Sequence, residues 1–262
     1  MENATQQALS ADELLAGTEA QSEAVLALPA GSQTVFALVR KLRGQRATSD
    51  TFRVQLRACM RQYGEDWQLL DGDDAKWYDT LNSAWVIADH DSRTLHFGPK
   101  GGIPVSETLA GHGLPAYLFA QTILWAKQRY PDYAVARILL HPDEAADEES
   151  RLRRNSFYAS QGFDFEWFDH EQRAGCCFKG RADQLLAVWD LQTVRDLSCE
   201  ALIGLVAEEN TLRVEAQDAR ARMASHKEHL ESRFERERMI NLILTGVTCF
   251  VLTMGLMAAL GV

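Results

Sequence analysis

The chain has 262 residues, 46% of them apolar and 24% charged, and a formal net charge of −10. That is enough chain for one full hydrophobic core plus extensions, and the acidic balance argues against a protein that tracks a nucleic-acid backbone, which needs clustered Lys and Arg. Five cysteines without C-x-x-C spacing argue against a disulfide scaffold or a zinc ribbon and for reduced thiols.

Residues 1–33 are rich in Ala, Gln, Glu and Ser and contain Glu2, Asp12, Glu13, Glu19 and Glu23 without one Lys or Arg. Ser10 can cap a short helix through Leu15, but an acidic, flexible segment is expected over 1–33. No basic region followed by an apolar core opens the chain, so no secretory signal is expected. Residues 34–39, Thr-Val-Phe-Ala-Leu-Val, read as a strand or a short buried helix, which periodicity does not separate. Ser49-Asp50 is expected to cap a helix reaching Tyr63, with Phe52, Val54, Leu56 and Cys59 as its apolar positions and Gly64 as its stop. A second short helix is expected over 71–81.

The period then changes to two. Strands are predicted over 84–88 and 94–97 around a turn at 89–92, and a third strand over 103–110 runs into Gly111-His112-Gly113-Leu114-Pro115. An amphipathic helix follows over 116–130. Strand, glycine turn and helix N-terminus together can form an anion site, because unpaired N–H groups and the positive end of the helix dipole converge there. A strand at 134–140, an acidic loop at 142–150, a helix at 151–160 and strands at 163–168 and 176–179 complete a mixed sheet with helices on its faces, an α/β fold.

From Ala182 onward the chain reads as wholly helical. Leu202, Leu205, Leu212, Ala216, Ala219, Met223 and Leu230 follow a heptad-like spacing, interrupted by Glu209 and His226, which predicts a helical stalk or weak coiled coil over 191–238. His226 and His229 share a helix face, but no third ligand lies near, so no metal site is expected. Residues 239–262 contain no charge. As a helix they would span roughly 36 Å against a hydrocarbon core of about 30 Å, which predicts a transmembrane helix. Arg233, Arg236 and Arg238 flank its N-terminal side and nothing basic follows. The expectation is a single-pass C-terminal tail anchor with residues 1–238 facing the cytoplasm. Gly255 and Ala259 form a small-xxx-small pair, so a homodimer through stalk and membrane helix is a candidate arrangement.

Val105 precedes Gly111 by six residues, the helix after the turn carries Leu118, Ile123, Leu124, Trp125 and Ala126, and Phe157-Tyr158 is followed by Gly162-Phe163. In these features the chain resembles the GNAT superfamily of N-acetyltransferases. The resemblance covers residues 34–182, most closely 103–165, and implies a GNAT-like domain over 34–190. It also implies acetyl-CoA as co-substrate and an amine acceptor, small molecule or protein, that attacks the thioester directly. By the same resemblance, backbone N–H groups of Gly111, His112, Gly113 and Leu114 bind the pyrophosphate. Val105 backbone polarises the acetyl carbonyl, splayed strands take the pantetheine arm, and Tyr158 protonates the departing thiolate.

Glu107 is the best-placed carboxylate for a base, with Asp89 and His96 as alternatives. Ala110, Pro115 and Arg151 depart from the family pattern, and Pro115 removes one N–H from the turn. Two readings therefore stand: a membrane-anchored acyl-CoA N-acyltransferase, and a non-catalytic GNAT-like module tethered to the membrane that acts through protein contacts.

Overall fold

Among the described residues, ten strands pair into one mixed sheet. The computed structural model describes residues 18–260 apart from Glu65, Asp74, Ala75, Asp79 and Ala146. It comprises two units, one ending at Ser198 and the other beginning at Cys199.

In the first unit β1 (Thr18–Ala30) and β2 (Gln33–Gln45) form a long antiparallel hairpin. Gly31, at φ 60, occupies the first position of its two-residue turn, where a side chain would be strained. β3 (Ser49–Tyr63) pairs with β2, with the short β4 (Asp66–Leu69), and with β5 (Ser83–Asp89), which turns into β6 (Thr94–Gly98). Helix α1 (Leu114–Arg129) then carries the chain to β7 (Ala134–Leu140), parallel to β6. Helix α2 (Glu148–Ser160) leads to the antiparallel pair β8 (Asp164–Trp167) and β9 (Gly175–Lys179). β10 (Arg195–Leu197) returns to pair with β1. The order across the sheet is β10-β1-β2-β3-β5-β6-β7-β9-β8, with β4 attached to β3. β6 and β7 pair only at Thr94–Ala134 and Leu95–Val135.

Both helices of this unit cover one face. Trp125 of α1 stacks on Phe52 of β3 with centroids 5.2 Å apart. Phe119 of α1 meets Phe157 and Tyr158 of α2 as well as Phe163. These rings, with Leu26, Leu28, Val54, Leu56, Leu118 and Ile123, make one core.

A buried polar cluster anchors the far end of α1. Asp50 at the start of β3 accepts hydrogen bonds through Oδ2 from Arg43 Nη2, at 2.7 Å, and from the hydroxyl of Tyr130, which caps α1. His90 Nε2 lies 3.8 Å from Oδ1, and His90 Nδ1 is 3.1 Å from the Tyr133 hydroxyl. Burial works to raise the Asp50 carboxyl. The bonds from Tyr130 and Arg43, with the Arg43 charge, outweigh it and hold the group below the ordinary carboxylate range. Burial, then the bond to Asp50, pushes the Tyr130 phenol up to about 12.

Four sequence expectations are corrected here. The helix expected over 49–63 is strand β3. Phe52, Val54, Leu56 and Ala58 alternate toward α1, while Arg53, Gln55 and Arg57 occupy the other face, a period of two rather than 3.6. The described part of 71–81 is irregular rather than helical. The flexible segment expected over 1–33 contains β1, in which Leu26 and Leu28 are completely buried; the helix expected at Ser10–Leu15 lies outside the described residues. The chain after Ala182 is not wholly helical: a 3₁₀ turn at Ala182–Gln184, an extended run and β10 precede the long helix.

The strand expected over 103–110 is also replaced, by an irregular segment and a 3₁₀ turn at Glu107–Leu109. Pro104 has no N–H for a ladder. Asn82 takes the segment's bonds instead: its N–H donates to Pro104 O at 2.8 Å, and its Oδ1 accepts from Ser106 N at 2.8 Å.

The second unit is helix α3 (Cys199–Leu260), 62 residues long. It contains an 18-residue window with a mean hydropathy of 1.3, none of it buried within the chain. By length and composition it is sufficient to cross a membrane.

Candidate functional site

Helix α2 has one chemically mixed face. Asp147 caps it, accepting from Ser150 N at 2.7 Å. Ser150, Arg153, Arg154, Phe157 and Tyr158 then recur at i, i+3, i+4, i+7 and i+8, so they share one side. That side forms a wall of a cavity of about 460 Å³, within the range of small-molecule sites. Gly101, Gly102 and Ile103, which follow β6, form another wall. Glu144, which follows β7, and Gly113, Pro115 and Ala116 at the start of α1 complete it.

The start of α1 is a sparse donor set. Gly113, at φ 68, is its N-cap without a side-chain cap. Ala116 and Tyr117 donate to Gly113 O, and Pro115 has no N–H, which leaves Leu114 as the first-turn residue whose N–H is not spent in this way. Its side chain is buried in the core.

Arg154 is a strut. Nη1 donates to His141 O at 2.7 Å, Nη2 to Arg173 O at 2.9 Å and Gln172 O at 3.3 Å, and Nε to the Asn155 side chain at 3.2 Å. Its Nη1 also lies 3.8 Å from Glu144 Oε2. These bonds tie α2 to the segment after β7 and to the β8–β9 connection. Arg153 is different: it is exposed, and among the described residues its ion pair is with Glu149 along the helix. It is the cation at this cavity with freedom to meet an anion. Glu144 leans over the backbone of Gly101, where an added Cβ would stand 3.2 Å from Oε1; the φ of 81 there also requires glycine.

Tyr158 is 5% exposed and sits among the rings of Phe119, Phe157 and Phe163. Burial pushes its phenol well above the ordinary range, with Cys177 and Glu144 acting the same way and Arg154 against them. The group therefore stays protonated at neutral pH, and burial makes it a weaker acid than an exposed phenol.

Of the residues singled out in the sequence, Gly113 and Tyr158 line this cavity together. Gly111, at φ 82, is an exposed turn residue, and the Leu114 side chain faces the core; neither belongs to the lining. His112 is buried, and burial pushes its pKa down against the opposing pull of the Pro29 backbone of β1, so its ring is turned inward. Val105 packs half-buried against the core from an irregular segment. Glu107 is exposed on the 3₁₀ turn and does not reach the cavity. Asp89 is occupied by the β5–β6 turn, accepting from Ser92 Oγ at 2.7 Å, and burial pushes His96 down. The carboxylate that does line the cavity, Glu144, lay in a loop read as acidic surface. The period of 150, 153, 154, 157 and 158 was the available signal for the α2 wall.

Among the described residues, no group of three His, Cys, Asp or Glu side chains is arranged to hold a metal ion. No protein-family model, no curated protein and no solved structure matches this chain.

Proposed function

We propose that this protein is a membrane-tethered acyl-CoA N-acyltransferase with a GNAT-like fold, using acetyl-CoA as donor. The observation that carries the reading is the cavity itself. It is walled by the segments that follow the parallel strands β6 and β7, which pair at Thr94–Ala134 and Leu95–Val135 alone among the described residues, and it has a helix N-terminus and Arg153 on its rim and Tyr158 in its wall. An extended thioester arm would run along the segments that follow the two strands. Arg153 and the N-terminus of α1 suit the pyrophosphate, and Ile103, Ala116 and Phe157 suit the arm.

In the reaction an amine nitrogen attacks the thioester carbonyl carbon, the C–S bond breaks, Tyr158 gives its proton to the departing sulfur, and the proton shed by the acylated nitrogen restores the phenol. Glu144 takes the proton that the ammonium substrate must lose, replacing Glu107 in that role. The backbone of residues 101–103, rather than Val105, is the segment beside the reacting carbonyl.

Calorimetry with acetyl-CoA on the full chain in detergent tests the reading. Binding is expected, and Arg153→Ala should weaken it about tenfold, the scale of a charge-assisted hydrogen bond at a wet rim. Absence of binding at millimolar acetyl-CoA would leave the second reading, a non-catalytic tethered module. Pro115 and the inward His112 favour that alternative, since both remove donors from the turn.

The tether is placed at residues 239–262, with residues 1–238 on the cytoplasmic side because Arg233, Arg236 and Arg238 flank it. Deleting 239–262 should move the protein from the membrane to the soluble fraction. Retention of the truncated chain on membranes would refute the assignment.

A further inference from the structure

We propose that residues 202–223 of α3 pair with the same segment of a second copy of this chain as a parallel, in-register, two-stranded coiled coil. The inference stands apart from the enzymatic reading. Leu202, Leu205, Glu209, Leu212, Ala216, Ala219 and Met223 alternate at spacings of three and four, which is one seam along a helix. The seam lies open: Leu205 is 40% exposed, Leu212 57% and Met223 73%. A solitary helix of this kind gains little in water from propensity alone and owes its stability to whatever covers its apolar side.

The charges flanking the seam select the occupant. Glu208 and Glu215 lie on one flank, and Arg213 and Arg220, each five residues later, on the other. In a parallel, in-register pair these are facing flank positions. Glu208 of one copy meets Arg213 of the other, Glu215 meets Arg220, and symmetry repeats both contacts. An antiparallel pair instead sets glutamate against glutamate and arginine against arginine. The match ends at Arg222 and Lys227, which are alike in charge, and this sets the C-terminal limit of the segment. Rotating the helix to the next row gives Asn210, Arg213, Gln217 and Arg220, which offers no apolar seam. Glu209 is the polar residue inside the seam. It costs stability and penalises shifted registers less than it defines a weak point, so removing it should tighten the pair.

The test uses two variants of the full chain in detergent: Glu208→Arg with Glu215→Arg, and Arg213→Glu with Arg220→Glu. Each variant makes all four facing contacts repulsive with itself and attractive with the other variant. The wild type should sediment as a dimer. Each variant alone should self-associate about 100-fold more weakly, four small ion-pair terms reversing sign together. Differently tagged copies of the two variants should co-purify as a heterodimer. Glu209→Leu should tighten wild-type self-association at least about tenfold, because an apolar residue replaces a charge in the seam. A monomeric wild type, variants that self-associate as tightly as wild type, a mixture no better than either variant alone, or an unresponsive Glu209→Leu would overturn the proposal.

Discussion

Replacing Asp50 by alanine is expected to cost about 3–5 kcal/mol, the penalty for removing one partner from a buried charge pair. Asp50 has a side chain 1% exposed, and Arg43 beside it is 18% exposed. Without the carboxylate, the Arg43 guanidinium loses its ion pair and the Tyr130 hydroxyl loses its acceptor, so the C-terminal end of α1 loses its link to β2 and β3. In thermal unfolding of the full chain the midpoint should fall by roughly 10 °C. Asp50→Asn keeps the shape and loses the charge, so it should recover only part of the loss.

The pH dependence gives a second readout with a definite sign. The folded Asp50 carboxyl lies below its unfolded value, so its stabilisation is fully present above about pH 3.9 and is lost as pH falls through the folded value. Asp50→Asn should lack that acid limb. Parallel acid curves for wild type and variant would show that Asp50 does not carry the effect.

Under the proposed acyl transfer, replacing Tyr158 by phenylalanine is expected to lower turnover by about 10²–10⁴-fold, the range for a general acid, while leaving acetyl-CoA affinity nearly unchanged. Phenylalanine keeps the ring contacts with Phe119, Phe157 and Phe163 and removes only the hydroxyl. Stability should therefore hold while the proton donor is lost. Release of thiol from acetyl-CoA across a panel of primary amines measures turnover, and calorimetry measures affinity. Because burial raises the phenol, wild-type activity should persist through pH 10 without an alkaline loss from this group. Unaltered turnover in Tyr158→Phe would remove it from the acid role. Equal loss of affinity and turnover would make it a packing residue of the cavity wall.

Strand β7 was legible to the residue because seven consecutive residues, with Pro131-Asp132 before and Pro142 after, leave no other element for an apolar run. The β5–β6 hairpin was legible through its Asp89–Ser92 turn, where the Asp89 side chain bonds to the backbone ahead of it. Strand β3 was not. Phe52, Leu56 and Cys59 also satisfy a helical spacing, and only pairing with β2 and β5 on its two sides selects the period of two. β1 was missed because its N-terminal half, Thr-Glu-Ala-Gln-Ser-Glu, carries no apolar alternation of its own; its order comes from the partner strand β2.

In the cavity lining, Tyr158 is marked in the sequence by a local pattern, Phe157-Tyr158 with Gly162-Phe163. Glu144 was not, because nothing within the acidic stretch 143–149 separates the one carboxylate that faces inward from those that face water.

By itself, then, the sequence determined what depends on neighbours along the chain: β7, the β5–β6 turn, the glycine entry to α1, and the uncharged apolar run near the C-terminus. Only the tertiary structure decided what depends on neighbours across space. Pairing turned residues 49–63 into a strand and brought residues 18–30 into the sheet. Asn82 drew residues 104–106 away from a ladder, and His112 turned inward to Pro29. Packing between segments distant in sequence placed Glu144, Gly113 and Tyr158 around one cavity. Hydrogen bonds and burial between distant segments set those outcomes, and neither is encoded in local periodicity.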